Sequence, residues 1–182
     1  MRSDGELYES YLAGDESACD ALMLRYGDEV TAYLNGFLQD HGESEDLMIE
    51  VFARIMVRKP KIREGNFRAY LFGAARHEAA RKHRIKARLK EFSLEDAPPP
   101  AVDSSETEYL RSERTEALRR CLDRLDPRYR EPLWLVYAMG MSYEQTAGIL
   151  GCPVKKIDNL LTAGKKLLRR ELEKEGTENA PV

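Results

Sequence analysis

The stretch from Ser142 to Leu168 leaves its backbone few choices. In SYEQTAGILG, Ser142 is followed three residues later by Gln145. That is a capping-box spacing, in which each side chain bonds the other residue's backbone N–H. Gly151 is suited to the left-handed conformation that ends such a helix, and Pro153 to the start of the next. The spacing predicts two helices across a turn of about four residues, the layout of a helix-turn-helix.

On the second helix, Val154, Ile157, Leu161, Gly164 and Leu168 fall on one side at helical spacing. The other side carries Lys155, Asn159, Thr162, Lys166 and Arg170, with Lys156 beside them and Asp158 at the margin. Cations on such a face meet phosphates, and an asparagine pairs bidentately with an adenine edge. A helical hairpin with a solvated outer face fits the same pattern, because the geometry alone is a weak signal.

Net charge is −3 over 182 residues, which by itself argues against nucleic acid. The distribution argues the other way. Residues 1–60 carry −8, residues 61–90 carry +8, residues 91–150 carry −5 and residues 151–170 carry +5. Two basic blocks, each inside a predicted helix, alternate with acidic ones, and a basic footprint is a local property. No apolar run approaches the roughly 18 residues of a membrane span, and MRSDGELYES has no apolar signal region. A cytoplasmic protein is expected. Cys19, Cys121 and Cys152 are far apart and form no CxxC, so reduced thiols are expected. No nucleophile motif or phosphate loop suggests an enzyme or a small-molecule substrate.

Along the chain, residues 4–13 read as an amphipathic helix with Ser3 as its cap. Asp15 and Glu16 open a second helix, in which Gly27 is expected to cause a break or bend. Asp40 to Gly42 read as a turn. Ser44 is expected to cap a third helix, with Glu45 and Asp46 in its first turn, where acids favour the dipole. Its buried stripe is Leu47, Met48, Val51, Phe52, Ile55 and Met56. His41, Glu43, Glu45 and Asp46 are explained by that first turn without a metal.

Residues from Asn66 to about Arg88 form the fourth helix. Phe67, Leu71, Ala74, Ala75 and Ile85 are expected to be core, with Glu78 anomalous among them. A neighbouring face carries Asn66, Tyr70, Gly73, His77, Arg81, Arg84 and Arg88, with Arg76 on its flank. Cations beside a flat ring suit single-stranded nucleic acid, which binds through its backbone and by stacking. The bland alternative is a solvated helix with snorkelling arginines. His77 and His83 lack the partners of a zinc site.

Residues 91–108 hold three consecutive prolines and six acids and read as an extended acidic linker. A helix is expected from Thr107 to Leu125, and Asp126 and Pro127 open the next. Pro132 is expected to bend that helix slightly, with Leu133, Trp134, Val136, Tyr137 and Met139 mostly core. The fold class expected is all-α: two small helical domains, 1–90 and 109–182, joined by the 91–108 linker, with a C-terminal helix-turn-helix.

In this order the motifs resemble a bacterial RNA polymerase sigma factor of the two-domain extracytoplasmic-function (ECF) type. ESEDLMIEVFARIM is similar to the family's polymerase-binding region. NFRAYLFGAARHEAARKHR is similar to its promoter-melting and −10-reading helix. The chain from LDRLDPRYR to GKKLL is similar to its −35-binding domain. The resemblance implies a non-catalytic protein, without cofactor or metal, that binds core RNA polymerase and promoter DNA and is held by an anti-sigma factor.

It also implies roles for individual residues. Asp46, Glu50 and Phe52 would face polymerase. Asn66, Phe67, Tyr70, Arg76, His77, Arg81, Arg84 and Arg88 would meet melted −10 bases and phosphates. Ser142, Lys155, Lys156, Asn159, Thr162, Lys166 and Arg170 would meet the −35 duplex. The chain departs from the family at Tyr70, His77 and Arg81, and at Ile49 on the expected polymerase surface. Asp158, Leu160 and Ala163 replace family bases on the recognition helix. Those last changes and Ile49 leave a second reading open: a sigma-like decoy that titrates an anti-sigma factor without initiating transcription.

Overall fold

In a computed structural model describing residues 2–92 and 113–175, all regular structure is helical. The chain divides into two compact units, Met1–Asp103 and Ser104–Val182.

The first unit is built from α1 (Asp4–Leu12), α2 (Ser17–Leu38), α3 (His41–Arg58) and α4 (Phe67–Phe92). Ser3 starts α1 with a complete capping box to Glu6. Asp4, one residue on, accepts from Arg25 and from the Tyr26 hydroxyl, each at 2.5 Å. This ties α1 to α2, and burial together with the Asp4 bond pushes the Tyr26 phenol up. Helix α2 packs on α1, α3 and α4 and contributes Leu22, Val30 and Leu34, all fully buried. Phe52, Phe67, Leu71 and Phe72 fill the space between helices, each worth about 1.5–3 kcal/mol of apolar burial.

Three expectations fail here for physical reasons. Gly27 does not break α2; it lies buried in mid-helix, where a Cβ would sit 3.7 Å from the Met48 methyl. Asp40, not Ser44, caps α3, accepting the Glu43 N–H at 2.8 Å, so the expected turn is the helix start. Ser44 is buried and donates its hydroxyl to the Asp40 carbonyl at 2.6 Å. Ile85 is 46% exposed rather than core, and Phe72 and Ala79 occupy core positions instead. Helix α4 continues to Phe92, and residues 93–112, with most of the expected linker, lie outside the described residues.

The second unit contains α5 (Glu113–Asp123), α6 (Pro127–Leu133), a π-helical turn (Trp134–Ala138), α7 (Tyr143–Leu150) and α8 (Val154–Lys174). Helix α8 is its spine and packs against α5, α6 and α7. The core gathers Cys121, Leu125, Leu133, Ala147, Ile157, Leu161, Leu168 and Leu172. Gly164 sits where α6 packs on α8: a Cβ there would meet Leu133 Cδ1 at 3.0 Å.

Asp126 caps α6 and Pro127 occupies its first turn, as expected. Pro132 supplies no N–H, and the chain widens directly after it into the π turn, where Met139 N–H donates to the Trp134 carbonyl at 3.0 Å. The wider turn buries Leu135 and leaves Tyr137 54% exposed, against the expectation that Tyr137 is core.

Candidate nucleic-acid interface

The helix-turn-helix forms as its caps dictate. Ser142 Oγ accepts the Gln145 N–H at 3.1 Å, and Gln145 Oε1 accepts the Ser142 N–H at 2.9 Å. Gly151 takes φ 63°, and both its N–H and that of Cys152 donate to the Ala147 carbonyl. Pro153, in extended geometry, turns the chain into α8. Because Ile157, Leu161, Gly164 and Leu168 are buried, the opposite face is presented outward. Lys155, Lys156, Asn159, Thr162, Lys166 and Arg170 are all exposed on it. Asp158 is exposed too, while Leu160 and Ala163 are half-buried. Ser142 is exposed, but its hydroxyl is committed to the cap and donates to Glu144 Oε2 at 2.9 Å. Beside this face, the Lys165 ammonium lies 4.6 Å from the Tyr137 ring centroid.

On α4 the structure separates the expected residues. Asn66, Tyr70, His77, Arg81 and Arg84 form one exposed stripe, with Tyr70 42% exposed and Arg76 half-buried at its flank. Phe67 is 2% exposed, its ring 5.4 Å from that of Tyr8 and 6.3 Å from that of Tyr26. It is a core residue that supports the stripe from inside, against the expectation from the resemblance that it lies on the exposed face. The Arg88 side chain lies outside the described ones.

Helix α3 turns Asp46 and Glu50 outward but buries Phe52 completely. Phe52 is therefore core, not a contact residue. Exposed Ile49 and Val57, at 52% and 81%, lie on the same outer face.

Glu78, anomalous on the helical wheel, is explained by its partners. Its carboxylate is 8% exposed and receives Arg54 on Oε1 and Arg81 Nε on Oε2 at 2.7 Å. Burial alone would raise its pKa; the hydrogen bonds and charges of Arg81 and Arg54 outweigh that and hold it below the ordinary glutamate value. Arg54 also donates to Glu50 at 2.5 Å, and Arg81 Nη2 stands 4.0 Å from the same Glu50 oxygen. Arg54 was missed by sequence reasoning. Its signal was the four-residue spacing from Glu50, a helical ion-pair spacing. Among the described residues, no three His, Cys, Asp or Glu side chains gather as a metal site, and no helix is long and apolar enough to cross a membrane.

Comparison with known proteins matches both units. The Sigma-70 region 2 model covers residues 22–89, and the Sigma-70, region 4 model covers residues 115–168. That pairing defines a sigma-70-type transcription protein. The ECF RNA polymerase sigma factor EcfG of Rhodopseudomonas palustris is 31% identical over 144 residues, covering 75% of each chain. The RNA polymerase sigma-H factor of Pseudomonas aeruginosa is 25% identical over 95% of each. The sigma factor RpoE of Bartonella quintana, solved with the anti-sigma factor NepR, shares the fold with a TM-score of 0.69 at 22% identity, covering 85% of this chain and 96% of that one. CnrH, solved with the cytosolic domain of CnrY, gives 0.68 at 20% identity over 93% and 97%.

The chain belongs to the ECF family of RNA polymerase sigma factors. It serves promoter-specific transcription initiation, with core RNA polymerase and promoter DNA as its partners.

Proposed function

We propose that the work of initiation is divided between the units. The first, residues 1–90, engages polymerase through the outer face of α3 with Asp46 and Glu50. It holds melted −10 bases against the Asn66–Tyr70–His77–Arg84 stripe of α4, with Arg76, Arg81 and Arg88 drawing in the backbone. The second, residues 109–182, lays α8 in the major groove of the −35 duplex. Lys155, Lys156, Lys166 and Arg170 meet phosphates there, and Asn159 and Thr162 meet base edges. Residues 91–108 link the two. The observation that carries this reading is that one chain presents two exposed, cation-rich helical faces: one beside an exposed ring, the other on the second helix of a capped helix-turn-helix.

The chain supplies no catalytic group; polymerase performs the chemistry in the cytoplasm. Sigma shifts the melting equilibrium by binding extruded bases, which cost a few kcal/mol per step to unstack. Since two structural relatives were solved with partners, one of them an anti-sigma factor, a protein of that kind is the proposed regulator.

Run-off transcription tests the reading. Core polymerase and the protein are given sheared genomic DNA, and transcript 5′ ends are sequenced. A small set of shared starts with a common upstream pattern is expected. Ends indistinguishable from those of core alone would overturn it.

A further inference from the structure

Four charged groups close a ring between α3 and α4. Arg54 and Arg81 each approach both Glu50 and Glu78. The two carboxylates are not equivalent. Glu78 is 8% exposed and grips one edge of each guanidinium, one oxygen per arginine. Glu50 is 44% exposed, and a single oxygen, Oε1, stands before the remaining edges: 2.5 Å from Arg54 Nη2 and 4.0 Å from Arg81 Nη2. Two guanidiniums held from behind by a buried carboxylate, with their other N–H groups converging on one anionic oxygen, form a site shaped for an oxyanion. The side chain occupying it is a solvent-facing glutamate.

We propose that Arg54 and Arg81 form a phosphodiester-binding site for single-stranded DNA, and that Glu50 fills it in the free chain as an internal stand-in for the phosphate. Glu78 is the positioning residue that keeps the two guanidiniums side by side. Glu50 leaves to solvent as the phosphate enters, so the ring exchanges one anion for another and neither guanidinium is left unpaired. The site adjoins the α4 stripe because Arg81 belongs to both, so it rests on the reading of α4 as the face for melted DNA. It adds Arg54, a residue of α3, to that face. It also gives Glu50 a second role beside polymerase contact: a partner that draws Glu50 outward empties the site for DNA.

The test uses the full chain and a fluorescein-labelled single-stranded DNA of mixed sequence, titrated at several salt concentrations. Glu50→Gln removes the competing charge. It is expected to tighten binding severalfold and to steepen the log–log salt slope by about 0.7, the value for one added phosphate contact on a single strand. Glu45→Gln adds the same charge on exposed α3 away from the ring and is expected to change affinity and slope much less. Adding Arg54→Gln to Glu50→Gln is expected to erase the gain, and circular dichroism verifies that each variant is folded. An unchanged slope in Glu50→Gln, a gain matched by Glu45→Gln, or a gain that survives Arg54→Gln overturns the site. So does binding that is undetectable with and without Glu50→Gln. The reading of α4 fails separately, if holoenzyme carrying Tyr70→Ala opens promoters as well as the unaltered holoenzyme does.

Discussion

Ser142 and Gln145 cap each other across the first turn of α7, each side chain bonded to the other's backbone N–H, at 3.1 and 2.9 Å. This reciprocal pair fixes where α7 begins. Ser142→Ala removes one half of it and is expected to cost about 1 kcal/mol. The chain's single tryptophan, Trp134, lies in the second unit, so its fluorescence during urea denaturation reads this loss directly. An unchanged midpoint would show that the cap contributes nothing.

Gly164 offers a sharper test of packing. A Cβ there would lie 3.0 Å from Leu133 Cδ1 and 3.4 Å from Tyr129 Cβ, so a branched side chain has to force α6 off α8. Gly164→Val is expected to destabilise the second unit by about 1–3 kcal/mol, again read by Trp134. Equal stability would mean that α6 gives way without cost.

The buried Glu78 predicts a pH dependence. Its folded-state pKa is lowered, so it contributes stability at neutral pH, above the unfolded value of about 4.3. That contribution is lost as pH falls through the lower folded value. Glu78→Gln is therefore expected to destabilise the first unit at pH 7 and to lose this disadvantage in acid. Urea titrations followed by far-ultraviolet circular dichroism at a series of pH values check it; a constant difference would assign the effect to packing.

Tyr70, the exposed ring of the α4 stripe, is expected to act after melting. Tyr70→Ala should reduce promoter opening by a factor corresponding to about 1–3 kcal/mol of stacking, with closed-complex binding nearly unchanged. Permanganate reactivity reads the first and filter binding the second. Equal losses in both would contradict a stacking role.

Asn159 is expected to read one base. Asn159→Ala should relax preference at a single −35 position by about 1–3 kcal/mol, measured by binding to a duplex library. An unchanged preference would remove it from the reading set.

Elements opened by a polar side chain were legible, because a cap is a local rule. Ser3, Asp126 and Ser142 all start helices where the sequence places them. The rule fails where two candidates compete. Asp40 and Ser44 stand four residues apart, and only burial decides that Ser44 points inward. Helices α2 and α3 end on Gln39 and Lys59 at positive φ, where no glycine gives warning. Phe52 and Phe67 lie within motifs that resemble contact regions, yet which face a motif residue occupies depends on packing from other helices. Glu78 is only half legible: Arg81 stands three residues on, but its other partner, Arg54, lies 24 residues away on another helix.

The π turn after Pro132 has a consequence for comparing this chain with others. A wide turn holds one residue more than an ordinary one, which amounts to about 100° of rotation on a helical wheel. It acts as a phase slip in a periodic signal: positions up to Leu133 keep the rhythm of α6, and those inside the turn, from Trp134 to Ala138, no longer share it. A wheel drawn straight through sends Tyr137 inward. A gap-free alignment to a relative with an ordinary turn here would assign Tyr137 and Ala138 to the wrong part of the wheel, until the loop before Ser142 absorbs the difference. Removing one residue from the turn is expected to return Tyr137 to the rhythm of α6 and, by that rotation, to part it from Lys165.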